Sequence, residues 1–146
     1  MTLIRLATTD AEIVRCFPVM QQLRPHLHPD GFVARVRAMQ TEGFALAFLE
    51  DDAGTARAVA GFRVMDMLVH GRTLYVDDLV TDAESRSLGY GRQLLDWLVA
   101  RAQAQGCQMF SLDSGTHRHE AHHFYFRQRM RISSYHFALK LAEPPA

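Results

Sequence analysis

Cysteine is nearly missing from this chain: 146 residues hold only two, Cys16 and Cys107. One falls in a run with helical periodicity and the other opens a strand-like run, which suits small buried hydrophobes and leaves no disulfide framework. No apolar run is long enough to cross a bilayer, and Met1-Thr2-Leu3-Ile4-Arg5 lacks the pattern of a secretory signal. A charge excess is missing too. Lysine plus arginine number 16, as do the acids, so nothing in the balance points to nucleic acid or a membrane surface as partner. Repeats, low-complexity tracts and internal linkers are also absent. What remains, 48% hydrophobic and 22% charged, has the composition of a soluble globular protein long enough for one full core. The expectation is one cytoplasmic domain over residues 1–142, with 143–146 as a frayed tail.

The most informative stretch that is present is Arg86-Ser87-Leu88-Gly89-Tyr90-Gly91. It lies between a strand-like run, Leu74 to Thr81, and a helix-like run in which Leu94, Leu95, Leu98, Val99 and Ala102 recur at helical spacing. Glycines let the backbone turn sharply and approach a ligand closely. The helix that starts there aims unpaired N–H groups and a partial positive charge into the turn, and Arg86 adds a guanidinium able to grip phosphate oxygens. Such a turn suits a pyrophosphate. A P-loop would need Gly-Lys-Ser/Thr at its end, which is not there. A dinucleotide fingerprint would need a glycine where Leu94 stands.

Around this turn the pattern reads strand, helix, helix, three strands, helix, strand, helix, strand. Leu3 to Ala7 opens it. Thr9 and Glu12 have capping-box spacing ahead of Ile13, Cys16, Phe17, Met20 and Leu23, although Pro18 implies a kink or two shorter pieces. Arg24 to Pro29 is a connection, and Phe32, Val36 and Met39 mark a second helix closed by Gly43. Phe44 to Leu49 and Ala58 to Met67 read as strands, with turns at Asp51 to Gly54 and His70 to Arg72. After Gly106 come a strand, Cys107 to Leu112, a helix containing Glu120 to Tyr125, and a last strand, Ile132 to Leu141.

Arg86-x-x-Gly89-x-Gly91 and Ala121-x-x-Phe124-Tyr125, one helix and one strand apart, resemble the two motifs of the GCN5-related N-acetyltransferases (the GNAT family). The resemblance covers the whole chain and is strongest from Leu74 to Tyr125. It implies an α/β (α+β) GNAT fold with a central mixed, mostly antiparallel twisted sheet in the order β-α-α-β-β-β-α-β-α-β. It also implies acetyl-coenzyme A as cosubstrate, no metal, and acetyl transfer by direct attack of a primary amine of a small molecule or peptide. A noncatalytic acyl-coenzyme A-binding regulatory module is the alternative.

Site residues follow from the resemblance position by position. Backbone N–H groups of Ser87, Leu88, Gly89, Tyr90, Gly91 and Arg92, with Arg86, would hold the pyrophosphate. Leu79, Val80 and Thr81 would pair through backbone with the pantetheine arm, and an N–H near Val80 or Thr81 would face the thioester oxygen. Tyr125 would protonate the departing thiolate; its phenol is the weaker acid, so the transfer requires a site that excludes water. Asp77, at the position of the family's strand acid, would act as base or substrate anchor. Its neighbour Asp78 would project to the other face by strand alternation and contact substrate only.

The loop with Arg24, His26 and His28 would line the acceptor pocket, Arg24 holding a substrate carboxylate. Two departures stand out. Arg118 occupies the place of an asparagine that touches pantetheine in the family, so that contact is lost, replaced or shifted to Ser114 or Asp113, and Arg129-Met130 replaces Gly-Phe after the tyrosine helix. His119, His122 and His123 share a helix side, but no cysteine lies near and metal binding is not expected. Tyr135, Phe137 and Leu139 alternate along the last strand, facing either the domain's own core or a homodimer partner.

Overall fold

The computed structural model describes residues 1–146. In chain order the elements are β1 (Leu3–Leu6), α1 (Asp10–Leu23), α2 (Phe32–Gln40), β2 (Phe44–Glu50), β3 (Ala56–Met67), β4 (Gly71–Thr81), α3 (Tyr90–Ala104), β5 (Met109–Leu112) and α4 (His119–Arg127). They fall into two compact units, Met1–Ser111 and Leu112–Pro145.

Helix α1 starts where the sequence says it should. Thr9 accepts the Glu12 N–H at 3.2 Å, and the Glu12 carboxylate accepts the backbone N–H groups of Thr9 and Thr8 at 2.9 and 3.1 Å. Those two bonds pull its pKa down to about 2. Of the two expected outcomes, a kink or two shorter pieces, the second does not occur: the helix is continuous through Pro18. The carbonyl that Pro18 leaves without a helical donor belongs to Val14, and both residues lie on the exposed side, where solvent can reach it.

The sheet has the order β1-β2-β3-β4-β5, antiparallel from β1 through β4. Alternation sends successive side chains to opposite faces. On one face Leu46, Phe48, Val59 and Val80 pack with Ile13, Cys16 and Met20 of α1 and with Phe32 and Val36 of α2. Burial there pushes the Cys16 thiol up to about 12, so it behaves as a small hydrophobe. On the other face α3 supplies Leu94, Leu95, Leu98 and Ala102, all buried, and Trp97 meets Phe62 edge to face at 6.4 Å.

One expected element does not form. Ile132 to Leu141 has no regular secondary structure, and Ile132, Tyr135, Phe137, Leu139 and Leu141 are exposed. Alternation describes what a strand would look like once paired; it supplies no partner edge, and a strand without one has no ladder bonds to hold it. The irregular stretch therefore begins at Met130, well before the expected frayed tail at 143–146.

Candidate functional site

The strand that leads to the glycine turn carries a bulge at its acids. Gly61 of β3 pairs with Asp78 of β4 while Phe62 pairs with Val76, so Asp77 is the extra residue. The bulge defeats simple alternation. Asp78 faces Gly61, and Asp77 reaches Arg63, which projects from the same face of β3 two residues on. Both acids therefore lie on the α1 side of the sheet, correcting the expectation that they point apart.

Each acid has an arginine. Arg63 grips Asp77 through two bonds, Nε to Oδ1 at 3.1 Å and Nη2 to Oδ2 at 2.6 Å, and its guanidinium lies over the Phe44 ring. Arg24, the residue that caps the C-terminus of α1, donates from Nε to Asp78 Oδ1 at 2.8 Å and from Nη2 to the Asp77 carbonyl at 3.0 Å. The Asp78 side chain is only 14% exposed. Burial outweighs the Arg24 contact and pushes the Asp78 carboxyl above the usual aspartate range. An acid tuned this way holds a proton more readily, which suits acceptance of one from an amine.

Past the acids, β4 offers backbone. β5 begins level with Arg72, where Gln108 N–H donates to Arg72 O at 2.8 Å, and it is four residues long. The outer edge of β4 from Asp78 onward therefore has no strand beside it, and Leu79, Val80 and Thr81 lie there. The Val80 side chain is core. Asp82 then anchors the exit: its carboxylate accepts from Gln22 Nε2 at 2.9 Å, Arg57 Nη1 at 3.0 Å and Ser85 Oγ at 3.3 Å, which lowers its pKa. Gln22 Oε1 in turn accepts the Ala83 N–H at 2.9 Å.

The turn itself is open. Arg86, Ser87, Leu88 and Gly89 are all exposed, Ser87 and Gly89 have left-handed φ of 69° and 82°, and no side chain caps α3. The first helical bond runs from Gln93 N–H to Gly89 O at 3.0 Å, so the N–H groups of Tyr90, Gly91 and Arg92 precede any intrahelical partner. A Cβ built on Gly89 would meet nothing within 4 Å. Uncapped donors, an exposed Arg86 and open space fit an anion such as a pyrophosphate.

In the second unit, Tyr125 sits on α4 with its ring 5.5 Å from that of Phe124. Burial pushes the Tyr125 hydroxyl up, partly countered by the neighbouring Arg118 guanidinium. The residue at the asparagine position is thus engaged with the tyrosine. Ser114 Oγ is buried with no partner. Asp113 Oδ1 lies 3.4 Å from His136 Nδ1. After α4, Met130 N–H bonds to Tyr125 O at 3.1 Å and Arg129 adopts φ 64°, a Schellman-type closure in which arginine takes the place usually given to glycine. His122 Nε2 donates to Gly115 O at 2.8 Å, and no three His, Cys, Asp or Glu side chains are grouped to hold a metal ion. His26 is exposed, and His28 Nδ1 accepts the Asp30 N–H at 3.2 Å.

Sequence reasoning missed Gly61, Arg63 and Gln22. Arg63 had a signal, since it follows Gly61 by the two-residue strand period; Gln22 had none, because its partners are 60 residues or more away.

Residues 10–129 match the model of the Acetyltransferase (GNAT) family, and the chain belongs to that family. A curated relative, the uncharacterized N-acetyltransferase YhdJ of Bacillus subtilis (strain 168), is 35% identical over 132 residues, 89% of this chain and 92% of its own. Two solved structures share the fold. A transcriptional regulator from Bacillus halodurans C-125 superposes with a TM-score of 0.85 at 17% identity, covering 97% of this chain and 100% of its own. Glucosamine-6-phosphate N-acetyltransferase from Arabidopsis thaliana gives 0.79 at 18% identity, covering 97% and 99%.

Proposed function

We propose that this chain transfers an acetyl group from acetyl-coenzyme A to a primary amine of a small molecule or peptide by direct attack. One conjunction carries the reading: an uncapped, open helix start at Gly89 and Tyr90, in the segment that follows a part-buried acid, Asp78, with a raised pKa. Family membership supports acetyl-coenzyme A as the cosubstrate. When bound, it supplies an acetyl thioester and a thiolate leaving group.

The chain's own residues do the rest. N–H groups of Ser87 to Arg92, with the Arg86 side chain, hold the pyrophosphate. The free edge of β4 at Leu79, Val80 and Thr81 pairs with the amide-rich arm, and the unpartnered Ser114 hydroxyl supplies one more contact. Asp78 accepts the amine's proton. Asp77 is committed to Arg63 by two bonds, so we assign it to anchoring rather than to the base role its position suggested. Tyr125, kept protonated by its raised pKa, donates to the departing sulfur. Arg24 and His26 belong to the acceptor side. A family match running from residue 10 to 129 supports treating 1–142 as one acetyltransferase domain. Free Cys16 and Cys107 suit a reducing, cytoplasmic setting, and the exposed stripe at Tyr135, Phe137 and Leu139 suits a homodimer contact.

Thermal melts with coenzyme A test the cradle. Wild type is expected to be stabilised at saturating ligand, and Gly89→Val to lose that shift, because valine is strained at φ 82° and projects into the anion's space. Thiol release over a panel of amines tests turnover, with Tyr125→Phe lowering it ~100- to 10,000-fold. Coenzyme A binding without thiol release from any amine would favour a noncatalytic binding module.

A further inference from the structure

The acids of the β4 bulge are not free to attract a cation. Asp77 is held twice by Arg63, and Asp78 is held by Arg24. Each carboxylate is already matched by a guanidinium, so an acceptor whose only charge is an ammonium must displace an arginine to reach one. Neither arginine has spent its whole fork of donors. Arg24 uses Nε and Nη2, keeps Nη1 over, and its side chain is 42% exposed.

Proton transfer exposes the difficulty. An amine that gives its proton to Asp78 removes the charge balancing Arg24, and a half-buried guanidinium left alone is costly. A substrate that brings its own anion next to the amine removes that cost. Resting on the acetyl-transfer reading above, we infer that the acceptor is a free α-amino acid or similarly small zwitterion, its amine taking Asp78 while its carboxylate takes Arg24. The spacing agrees. An α-amino nitrogen and its carboxylate carbon are about 2.5 Å apart, and Arg24 Nε lies 2.8 Å from Asp78 Oδ1. The zwitterion therefore lies antiparallel to the existing pair, each charge opposite its complement, and the two pairs exchange without any charge standing unbalanced. The terminal amine of a peptide has no adjacent carboxylate and cannot make this exchange.

Matched acceptors test it: free amino acids against their α-amides, compared by kcat/KM with acetyl-coenzyme A and, separately, by calorimetric binding in the presence of non-reacting coenzyme A. Wild type is expected to favour the acid about 10- to 100-fold in both readouts, the value of one charge-assisted bond. Arg24→Gln is expected to collapse that preference, and Arg24→Lys, which keeps the charge without the fork, to retain part of it. If Arg24→Gln does not fold, the wild-type comparison alone decides. Amides or simple alkylamines acetylated as well as amino acids would overturn the acceptor assignment and leave acetyl transfer standing. Absence of both thiol release and any coenzyme A-induced stabilisation would instead overturn the reading beneath it.

Discussion

Gly61 sits directly across the β3–β4 ladder from Asp78, and its missing side chain is the space the carboxylate occupies. A Cβ at Gly61 would lie 2.5 Å from Asp78 Oδ2 and 2.6 Å from two atoms of the Phe44 ring. Phe44 is buried and cannot retreat freely. Gly61→Ala should therefore destabilise the fold by about 1–3 kcal/mol through overpacking, read by urea unfolding. It should also displace Asp78 from Arg24 and lower acetyl transfer beyond what the lost stability explains.

The two neighbouring acids should respond differently to amidation. Asp78→Asn removes the group we assign as base and should cut turnover ~100- to 10,000-fold, with the residual activity climbing at higher pH, where more amine is already neutral. Asp77→Asn should act mainly on stability, by weakening the Arg63 pair, with a much smaller change in turnover. The sign of the pH effect on folding follows from burial. Because the folded state raises the Asp78 pKa, the fold binds that proton more tightly than the unfolded chain does. The Asp78 contribution therefore disfavours folding once the group ionises above its folded-state pKa and lessens as pH falls through it. Asp78→Asn should flatten that part of the stability profile.

Glu12 should show the opposite sign. Its pKa is lowered from 4.5 to about 2, first by the Thr9 backbone bond and then by that of Thr8. Its contribution is fully present above pH 4.5 and disappears as pH falls toward 2. Thermal melts of Glu12→Gln across this window should lose less stability on acidification than wild type. Equal slopes in the two proteins would show that the capping carboxylate does not carry the effect.

Arg129 holds a left-handed conformation, φ 64°, at the end of α4. An L-residue there costs roughly 1–2 kcal/mol, part of which glycine returns as chain entropy. Arg129→Gly should raise stability by about 0.5–1 kcal/mol, measured by chemical unfolding.

The sequence disclosed what depends on neighbours along the chain. Thr9 and Glu12 announced a helix start that the structure contains, and Arg86 to Gly91 announced an uncapped one. It did not disclose what depends on register. A single extra residue at Asp77 turns two expected faces into one, and no local pattern marks a bulge whose cause is the pairing partner. Pro18 did not divide α1, because a proline's cost depends on whether its orphaned carbonyl can reach water. The stripe at Tyr135, Phe137 and Leu139 misled because strand propensity is realised only against an edge.

Helix α1 touches this machinery twice within three residues. Gln22 holds Asp82 and Ala83 at the entrance to the glycine turn, while Arg24 holds Asp78 and the Asp77 carbonyl. The last turn of one helix is thus a mechanical tie between the strand acids and the segment that leads to the turn. Substitutions at Gln22 and Arg24 will not behave as independent lesions, and their combined effect will differ from the sum of the two, because each moves the backbone to which the other is fastened.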